Sequence, residues 1–284
     1  MSLAAQPAPW PLPGQCEACA RIPNPQTPFE PMASQWQNFL RNLGEWRGSF
    51  ATLEATGALV SISPSILTLE SEEEGRLVRF GLRRWSADVP VAPRGGPAGE
   101  PVEPTRNMRQ DYRSLGRQVV FFTTGTFCKG SLQVAPGTAF GGEFGFIQGD
   151  RRHRLVVLYS EAGEVDQLVL IREFRAGSTA AEQPMTTPVQ LRGLWRGESA
   201  TISADWPEPE VRPCERELGV ALESDLRLLP DGGFCRLPAR ISHREAFRLE
   251  GGWFSAPGQL ERLIRRYDAT GAWLSATHER LTLQ

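Results

Sequence analysis

The 284-residue sequence contains little lysine, histidine or cysteine, and it has no long apolar run. Lys129 is the only lysine, so nearly all of the 31 basic residues are arginine. The arginines are scattered and are matched by 33 acidic residues, which argues against a general nucleic-acid or anionic-membrane surface. The absence of an apolar run long enough for a membrane helix predicts no transmembrane segment. The N-terminus lacks the layout of a secretory signal, so a cytoplasmic protein is expected.

The sequence also lacks the motifs that usually mark catalytic and metal sites. His153, His243 and His278 are the only histidines, and none has a second histidine at a metal-ligand spacing. No G-x-S-x-G nucleophile motif occurs, and no lysine follows the glycine-rich stretch at residues 141–145. The glycines and phenylalanines around that stretch favour a bent strand over a place where a ligand or partner approaches the backbone. We therefore predict no catalytic residue, no metal site and no cofactor.

The five cysteines form an odd and uneven set, which does not indicate a disulfide framework. Cys16 and Cys19 form a single C-x-x-C pair, whereas a zinc site needs a second pair of ligands. A thioredoxin-type site would need a following βα unit, which Pro23 and Pro25 prevent. The pair lies within residues 1–31, a stretch that we predict to be a disordered, proline-rich extension.

Two copies of a G-x-W-R-G pentad organise the rest of the chain. The first copy spans residues 44–48 and the second spans residues 193–197. Both copies continue into a small, polar, strand-forming segment. Each half also closes with a tyrosine, Tyr159 or Tyr267, followed by a glycine turn and a strand that carries an arginine. The repeated order indicates an internal duplication.

The pentads predict a structural plug at the floor of each half. A glycine two residues before a tryptophan suits a chain that turns sharply beneath a barrel, where the indole closes the floor. An arginine of the last strand is expected to stack its guanidinium over that indole. The predicted plug residues are Gly44, Trp46 and Arg172 in the first half, and Gly193, Trp195 and Arg280 in the second half. This pattern resembles the calycin superfamily of lipocalins and fatty-acid-binding proteins.

Strand and turn signals dominate the chain outside one short helix. Apolar spacing predicts a helix over residues 33–43, with Ser34 as its cap and Gly44 as its end. Residues 46–174 carry eight or nine strand signals, enough to close a barrel, and residues 189–284 carry about six. The fold class is therefore predicted as all-β, with two tandem lipocalin-like (calycin) antiparallel β-barrels and a short N-terminal helix.

Four segments follow from these signals. The predicted domains are an extension over residues 1–31, a first barrel over residues 32–175, a linker over residues 176–188 and a second, smaller barrel over residues 189–284.

Residues 36–50 and 64–70 resemble a DUF3598-type family of cyanobacterial and plastid proteins, long known only as a domain of unknown function. The segments at 154–159 and 171–173 also fit, and the resemblance extends over residues 33–284. Plant members of that family include a biogenesis factor required for ATP synthase. The resemblance implies two barrels and a cyanobacterial source. It also implies a non-enzymatic assembly role in which protein partners, the β and γ subunits of the catalytic head, are held during their association.

Two other functions remain open from the sequence. Single-barrel lyases that attach bilins to phycobiliproteins share the helix, G-x-W and strand opening, and many calycin barrels carry a small apolar ligand. A carrier or lyase requires an open lumen with a few polar anchors, whereas an assembly factor requires an exposed complementary surface. The fold by itself does not separate these functions.

Overall fold

The computed structural model describes residues 33–99, 102–206, 208–219 and 226–284, and it is built almost entirely from antiparallel strands. The predicted extension over residues 1–31, with Cys16 and Cys19, lies outside the described residues. In chain order the helices and strands are α1 (Gln35–Leu40), β1 (Gly44–Leu53), β2 (Leu59–Glu72), β3 (Leu77–Arg84), β4 (Arg106–Tyr112), β5 (Val119–Phe121), β6 (Phe127–Gly130), β7 (Phe140–Gln148), β8 (Arg151–Tyr159), β9 (Val165–Arg175), α2 (Pro188–Leu191), β10 (Gly193–Ser203), β11 (Glu210–Leu218), β12 (Leu226–Leu228), β13 (Gly233–Arg236), β14 (Phe247–Ala256), β15 (Gln259–Tyr267) and β16 (Trp273–Leu283).

The strands form two curled antiparallel sheets of the same topology. The first sheet has the order β4-β3-β2-β1-β9-β8-β7-β6-β5, and the second has the order β11-β10-β16-β15-β14-β13-β12. In each sheet the pentad strand lies beside the last strand of its half, as β1 beside β9 and as β10 beside β16. Among the described residues, β3 and β4 have no counterpart in the second sheet. The predicted all-β class is confirmed.

Helix α1 is shorter than the helix predicted over residues 33–43. It is capped as expected, because the Ser34 hydroxyl accepts from the Gln37 backbone N–H at 3.2 Å and the Gln37 side chain accepts from the Ser34 N–H at 2.8 Å. Gly44 begins β1 and does not end the helix. Helix α2, which the sequence analysis does not predict, precedes the second pentad with the same kind of capping box.

The second sheet departs from the predicted strands at its edge. The strand expected at residues 217–222 lies earlier, as β11, and residues 220–222 lie outside the described residues. Pro213 weakens the strand pattern of β11, but an edge strand tolerates proline because one of its sides has no ladder partner. Strand β13 is an additional short strand that the sequence pattern does not indicate.

Each pentad tryptophan is fully buried where its sheet begins. The indole N–H of Trp46 donates to the Asn42 carbonyl at 2.9 Å, and that of Trp195 donates to the Leu191 carbonyl at 2.9 Å. In both cases the acceptor lies four residues before the tryptophan. Asn42 follows α1, and Leu191 is the last residue of α2. The repeated contact supports an internal duplication.

The last glycine of each pentad permits a close approach between strands. A Cβ on Gly48 would collide with the Arg172 carbonyl oxygen of β9, and a Cβ on Gly197 would collide with the Arg280 carbonyl oxygen of β16. The two arginines therefore occupy equivalent positions in the two halves. The backbone carbonyl group of each arginine is the part that contacts the last glycine of the pentad.

Three clusters of buried residues fill the protein. One lies on the inner face of the first sheet, around Trp46 and the α1 residue Phe39, and another lies on the inner face of the second sheet, around Trp195 and Leu191. The largest lies between the outer faces of the two sheets and takes residues from both. Residues 33–284 form one compact unit, so the linker at residues 176–188 joins sheets that share a core. The division into two barrel domains stays a prediction.

Gly48→Ala and Gly197→Ala are each expected to lower the free energy of unfolding by about 1–3 kcal/mol, because the added methyl group forces neighbouring strands apart. Urea unfolding of the full chain measures the change. Gly219→Ala is the matched control, since a Cβ at Gly219 meets no atom within 4 Å. Wild-type stability in both pentad variants would contradict the close approach.

Candidate functional site

Two arginines lie over Trp46, and neither is the predicted one. The guanidinium carbon of Arg175 lies 4.4 Å from the indole centroid, and that of Arg152 lies 4.9 Å from it. Arg172 instead donates to Glu182 at 2.7 Å. The strand register explains this, because β9 places Arg175 directly opposite Trp46. Arg172 lies three residues away along β9, where side chains point to the other face.

In the described part of the second half, no cation lies over Trp195 as Arg175 and Arg152 lie over Trp46. Leu283 lies opposite Trp195 in the β10–β16 register, and the ring of Phe254 meets the indole edge-on at 5.7 Å. Arg280 lies opposite Glu198 and is exposed. Both tryptophans are buried, whereas the side chains of Arg172 and Arg280 lie away from them, and the plug itself stays a prediction.

The inner face of the first sheet carries a buried ion network that the sequence analysis does not identify. Arg154 donates to both oxygens of Glu173 at 3.0 Å and to Glu143 at 2.8 Å. One guanidinium therefore draws the carboxylates of Glu143 and Glu173 together. Burial opposes the charge of Arg154, but the two carboxylates raise its pKa above the ordinary value. Strand alternation, with residues 152 and 154 on one face, is the signal that would have indicated this network.

The second sheet repeats the network. Arg262 donates to Glu250 at 2.8 and 3.0 Å and to Glu279 at 2.7 Å. By strand register, Arg262 occupies the position in the second sheet that Arg154 occupies in the first, and Glu250 occupies the position of Glu143. Only the second carboxylate has a different position along the last strand, where Glu279 of β16 replaces Glu173 of β9. A buried charge needs partners of this kind, so each sheet satisfies its own inner arginine.

Arg152 is a further charge on the first inner face, and only 3% of its side chain is exposed. Burial lowers its pKa to about 10, and the nearby Glu173 carboxylate opposes that shift. Its Nε lies 3.3 Å from a Glu173 oxygen without hydrogen-bond geometry. Within the described residues, Nε and Nη1 of Arg152 have no hydrogen-bond partner. Arg152 also lines a cavity on that inner face.

A second charged cluster joins the two sheets through Asp231. Arg151 forms an ion pair with this carboxylate, the Gln183 backbone N–H donates to it at 2.7 Å, and the His153 Nδ1 lies 3.4 Å from it. The Trp253 indole N–H donates to the Asp231 carbonyl at 2.9 Å, and the indole stacks on the His153 ring with centroids 5.6 Å apart. Burial lowers the pKa of His153 below its ordinary value. These contacts anchor both the linker and the second sheet to the first.

Among the described residues, the remaining cysteines and His278 form no hydrogen bond with these two clusters, and the glycine-rich stretch packs against the second sheet. Cys128, Cys214 and Cys235 are free thiols. His278 contacts Glu261 at 2.8 Å between the sheets. The glycine-rich stretch at 141–145 meets the second sheet: a Cβ on Gly142 would lie 3.3 Å from Leu249.

Two further observations concern ligands and membranes. No three His, Cys, Asp or Glu side chains in the described ranges come together as a metal site would require. The helices α1 and α2, the two that the described part of the chain contains, are too short to traverse a bilayer.

The fold and the two inner faces define an all-β protein made of two related curled sheets, each with a fully buried pentad tryptophan and a buried Glu–Arg–Glu network. Residues 32–178, more than half of the chain, match the N-terminal domain of unknown function DUF3598. The chain therefore belongs to the DUF3598 family, which confirms the predicted resemblance. Residues 220–280 match the C-terminal domain of biogenesis factor required for ATP synthase 1.

One solved structure agrees with this assignment. A DUF3598-family protein of unknown function from Nostoc punctiforme PCC 73102 is 30% identical, with a TM-score of 0.75, and the match covers 89% of this chain and 100% of that one. An S-type phycobiliprotein lyase from Guillardia theta is 13% identical with a TM-score of 0.34, and the match covers 52% of this chain and 96% of the lyase. No curated protein sequence matches the chain.

Arg154→Met is expected to lower the free energy of unfolding by about 3–5 kcal/mol, because it leaves Glu143 and Glu173 buried without their shared partner. Urea unfolding at neutral pH measures the loss. Arg196→Met is the matched control, since Arg196 and Glu215 form an exposed pair, and its cost is expected to stay below about 1 kcal/mol. Equal losses in the two variants would contradict the importance of the buried network.

Stability is expected to fall with acidification between about pH 7 and pH 5 because of His153. Below about pH 6.5 the unfolded chain binds a proton at this residue, whereas the folded chain, with its lowered pKa, resists protonation. His153→Gln removes that titration, so its unfolding free energy should depend less on pH over this range. Chemical unfolding at several pH values tests this, with His243→Gln as control. An unchanged pH slope in His153→Gln would show that His153 does not cause it.

Proposed function

We propose that this protein is a non-enzymatic assembly factor for ATP synthase, and that it binds the β and γ subunits of the catalytic head during their association. The observation that carries the proposal is the match of residues 220–280 to the C-terminal domain of biogenesis factor required for ATP synthase 1. The match falls on β12–β15 and most of β16, which is the greater part of the second sheet. The protein would act where the head assembles, in the cytosol of a cyanobacterium or the stroma of a plastid.

A partner surface on the second sheet is supported by its exposed apolar side chains. Trp206 is 62% exposed, Val211 is 51% exposed and Leu274 is 47% exposed. The antiparallel pairings bring the end of β10 and the starts of β11 and β16 to the same end of the sheet. We call these three residues the hairpin-end patch. Exposed aromatic and aliphatic groups of this kind contribute binding free energy when a partner removes them from water.

The edge strand β11 adjoins this patch. Among the described residues it pairs only with β10, whereas its counterpart in the first sheet, β2, is followed by β3 and then β4. Pro213 and the charged side chains of β11 disfavour the addition of an arbitrary strand at this edge. Recognition is therefore assigned to side chains of the patch, with the charged edge selecting a partner of complementary charge.

The test is retention of purified ATP synthase subunits by the immobilised full-length chain. Wild type is expected to retain β and γ. The double variant Trp206→Ala/Val211→Lys is expected to retain about a tenth or less, because it removes the aromatic anchor and charges the patch. Val189→Ala, another exposed apolar position at 67% exposure, is the matched control and should behave as wild type.

Failure of the wild-type chain to retain either subunit would contradict the assembly function. Retention of phycobiliprotein or bilin in its place, from a host extract, would favour lyase chemistry. Undiminished retention by the double variant would instead contradict the assignment of the surface, while leaving the function supported.

A further inference from the structure

The inner face of the first sheet encloses a cavity of about 350 Å³, within the size range of small-molecule sites. Much of its wall is apolar or aromatic. These wall residues include Leu67, Phe80, Leu82, Met108, Tyr112 and Phe127. Phe80, Leu82, Met108 and Tyr112 belong to β3 and β4, the strands without a described counterpart in the second sheet. Part of the apolar wall therefore comes from strands that the second half does not share.

A polar strip leads from the rim of this cavity to its buried end. Lys129, the only lysine of the chain, is exposed at the rim. Exposure of the side chains then decreases from Glu143 at 19% to Arg154 at 10% and Arg152 at 3%. All four residues line the cavity. A ligand with one charged end and an apolar body would match both parts of the wall.

Two hydrogen-bond donors at the buried end have no acceptor among the described residues. Arg154 takes up the oxygens of Glu173 and one oxygen of Glu143. Arg152 faces the same Glu173 but leaves Nε and Nη1 without a hydrogen-bond partner in the described part of the chain. Buried guanidinium N–H groups without acceptors destabilise a fold, so an acceptor supplied from outside would stabilise this site.

The second sheet shows that the fold does not need this arginine. In the first sheet, Arg152 pairs with Glu173, which pairs with the pentad residue Gly48. At the same positions of the second sheet, Leu260 pairs with Leu281, which pairs with Gly197. Leu260 is 1% exposed and belongs to the core of that inner face. An aliphatic pair thus fills the position without any desolvated charge, so Arg152 has a role beyond packing under the tryptophan.

We propose that the cavity of the first sheet binds an amphiphile with an apolar chain and a single carboxylate, and that Arg152 holds the carboxylate. The planar guanidinium offers parallel N–H donors that match the two oxygens of a carboxylate. Glu143 and Glu173 line or adjoin the same end, and they disfavour a head group of higher negative charge. This inference concerns the first sheet and does not depend on the assembly function proposed for the second.

Calorimetric titration of the full-length chain with dodecanoate, dodecanol and dodecyltrimethylammonium tests the proposal. The three probes share a chain and differ in head-group charge. Dodecanoate is expected to bind about tenfold or more tightly than the other two. Arg152→Leu copies the residue of the second sheet. It should raise the Kd for dodecanoate about tenfold and change that for dodecanol by less than about twofold.

Arg175→Leu is the matched control. Arg175 also lies over Trp46 and also has a leucine, Leu283, at its counterpart in the second sheet, but it does not line the cavity. It should leave the affinity for dodecanoate unchanged. Should Arg152→Leu fail to fold, Arg152→Gln and the head-group series on wild type decide the question.

The proposal is overturned if dodecanoate binds no better than dodecanol, or if none of the three probes binds. It is overturned equally if Arg152→Leu binds dodecanoate as wild type does.

Discussion

Burial of a tryptophan at the start of the first strand is the interaction on which both sheets depend. Trp46 and Trp195 each donate their indole N–H four residues back along the chain, which fixes the preceding helical segment over the inner face. The glycine two residues earlier, Gly44 or Gly193, has a positive φ that makes this turn accessible. The glycine two residues later lets the last strand lie in close contact. One pentad thus joins a helix, a first strand and a last strand.

The two halves share this arrangement and differ most clearly in the positions of their buried charged side chains. Both retain an inner arginine held by two carboxylates, around Arg154 and around Arg262. Beside the pentad, the first sheet has Arg152 and Glu173 where the second has two leucines. Since a buried ion pair seldom stabilises a fold more than a packed aliphatic pair does, packing alone does not explain the charged pair of the first sheet.

The packing of the two outer faces against each other is the second constraint on the structure. Both sheets contribute to the largest core, and Asp231 ties the first sheet, the linker and the second sheet together through buried polar contacts. A change at this junction would affect both halves. The cavity of the first sheet and the hairpin-end patch of the second sheet have no residue in common. Each can therefore be altered by itself in an experiment.

The sequence by itself determined the all-β class, the repeated pentads and the capped first helix. These depend on local preferences and on repeated motifs, which are visible along the chain. The cation over Trp46 depends on the register of β1 with β9, where a shift of three residues exchanges Arg172 for Arg175. The Glu–Arg–Glu networks, the Asp231 cluster and the unsatisfied donors of Arg152 arise only when strands distant in sequence become neighbours. Only the tertiary structure decides those pairings, because side-chain identity does not fix which strands share an inner face.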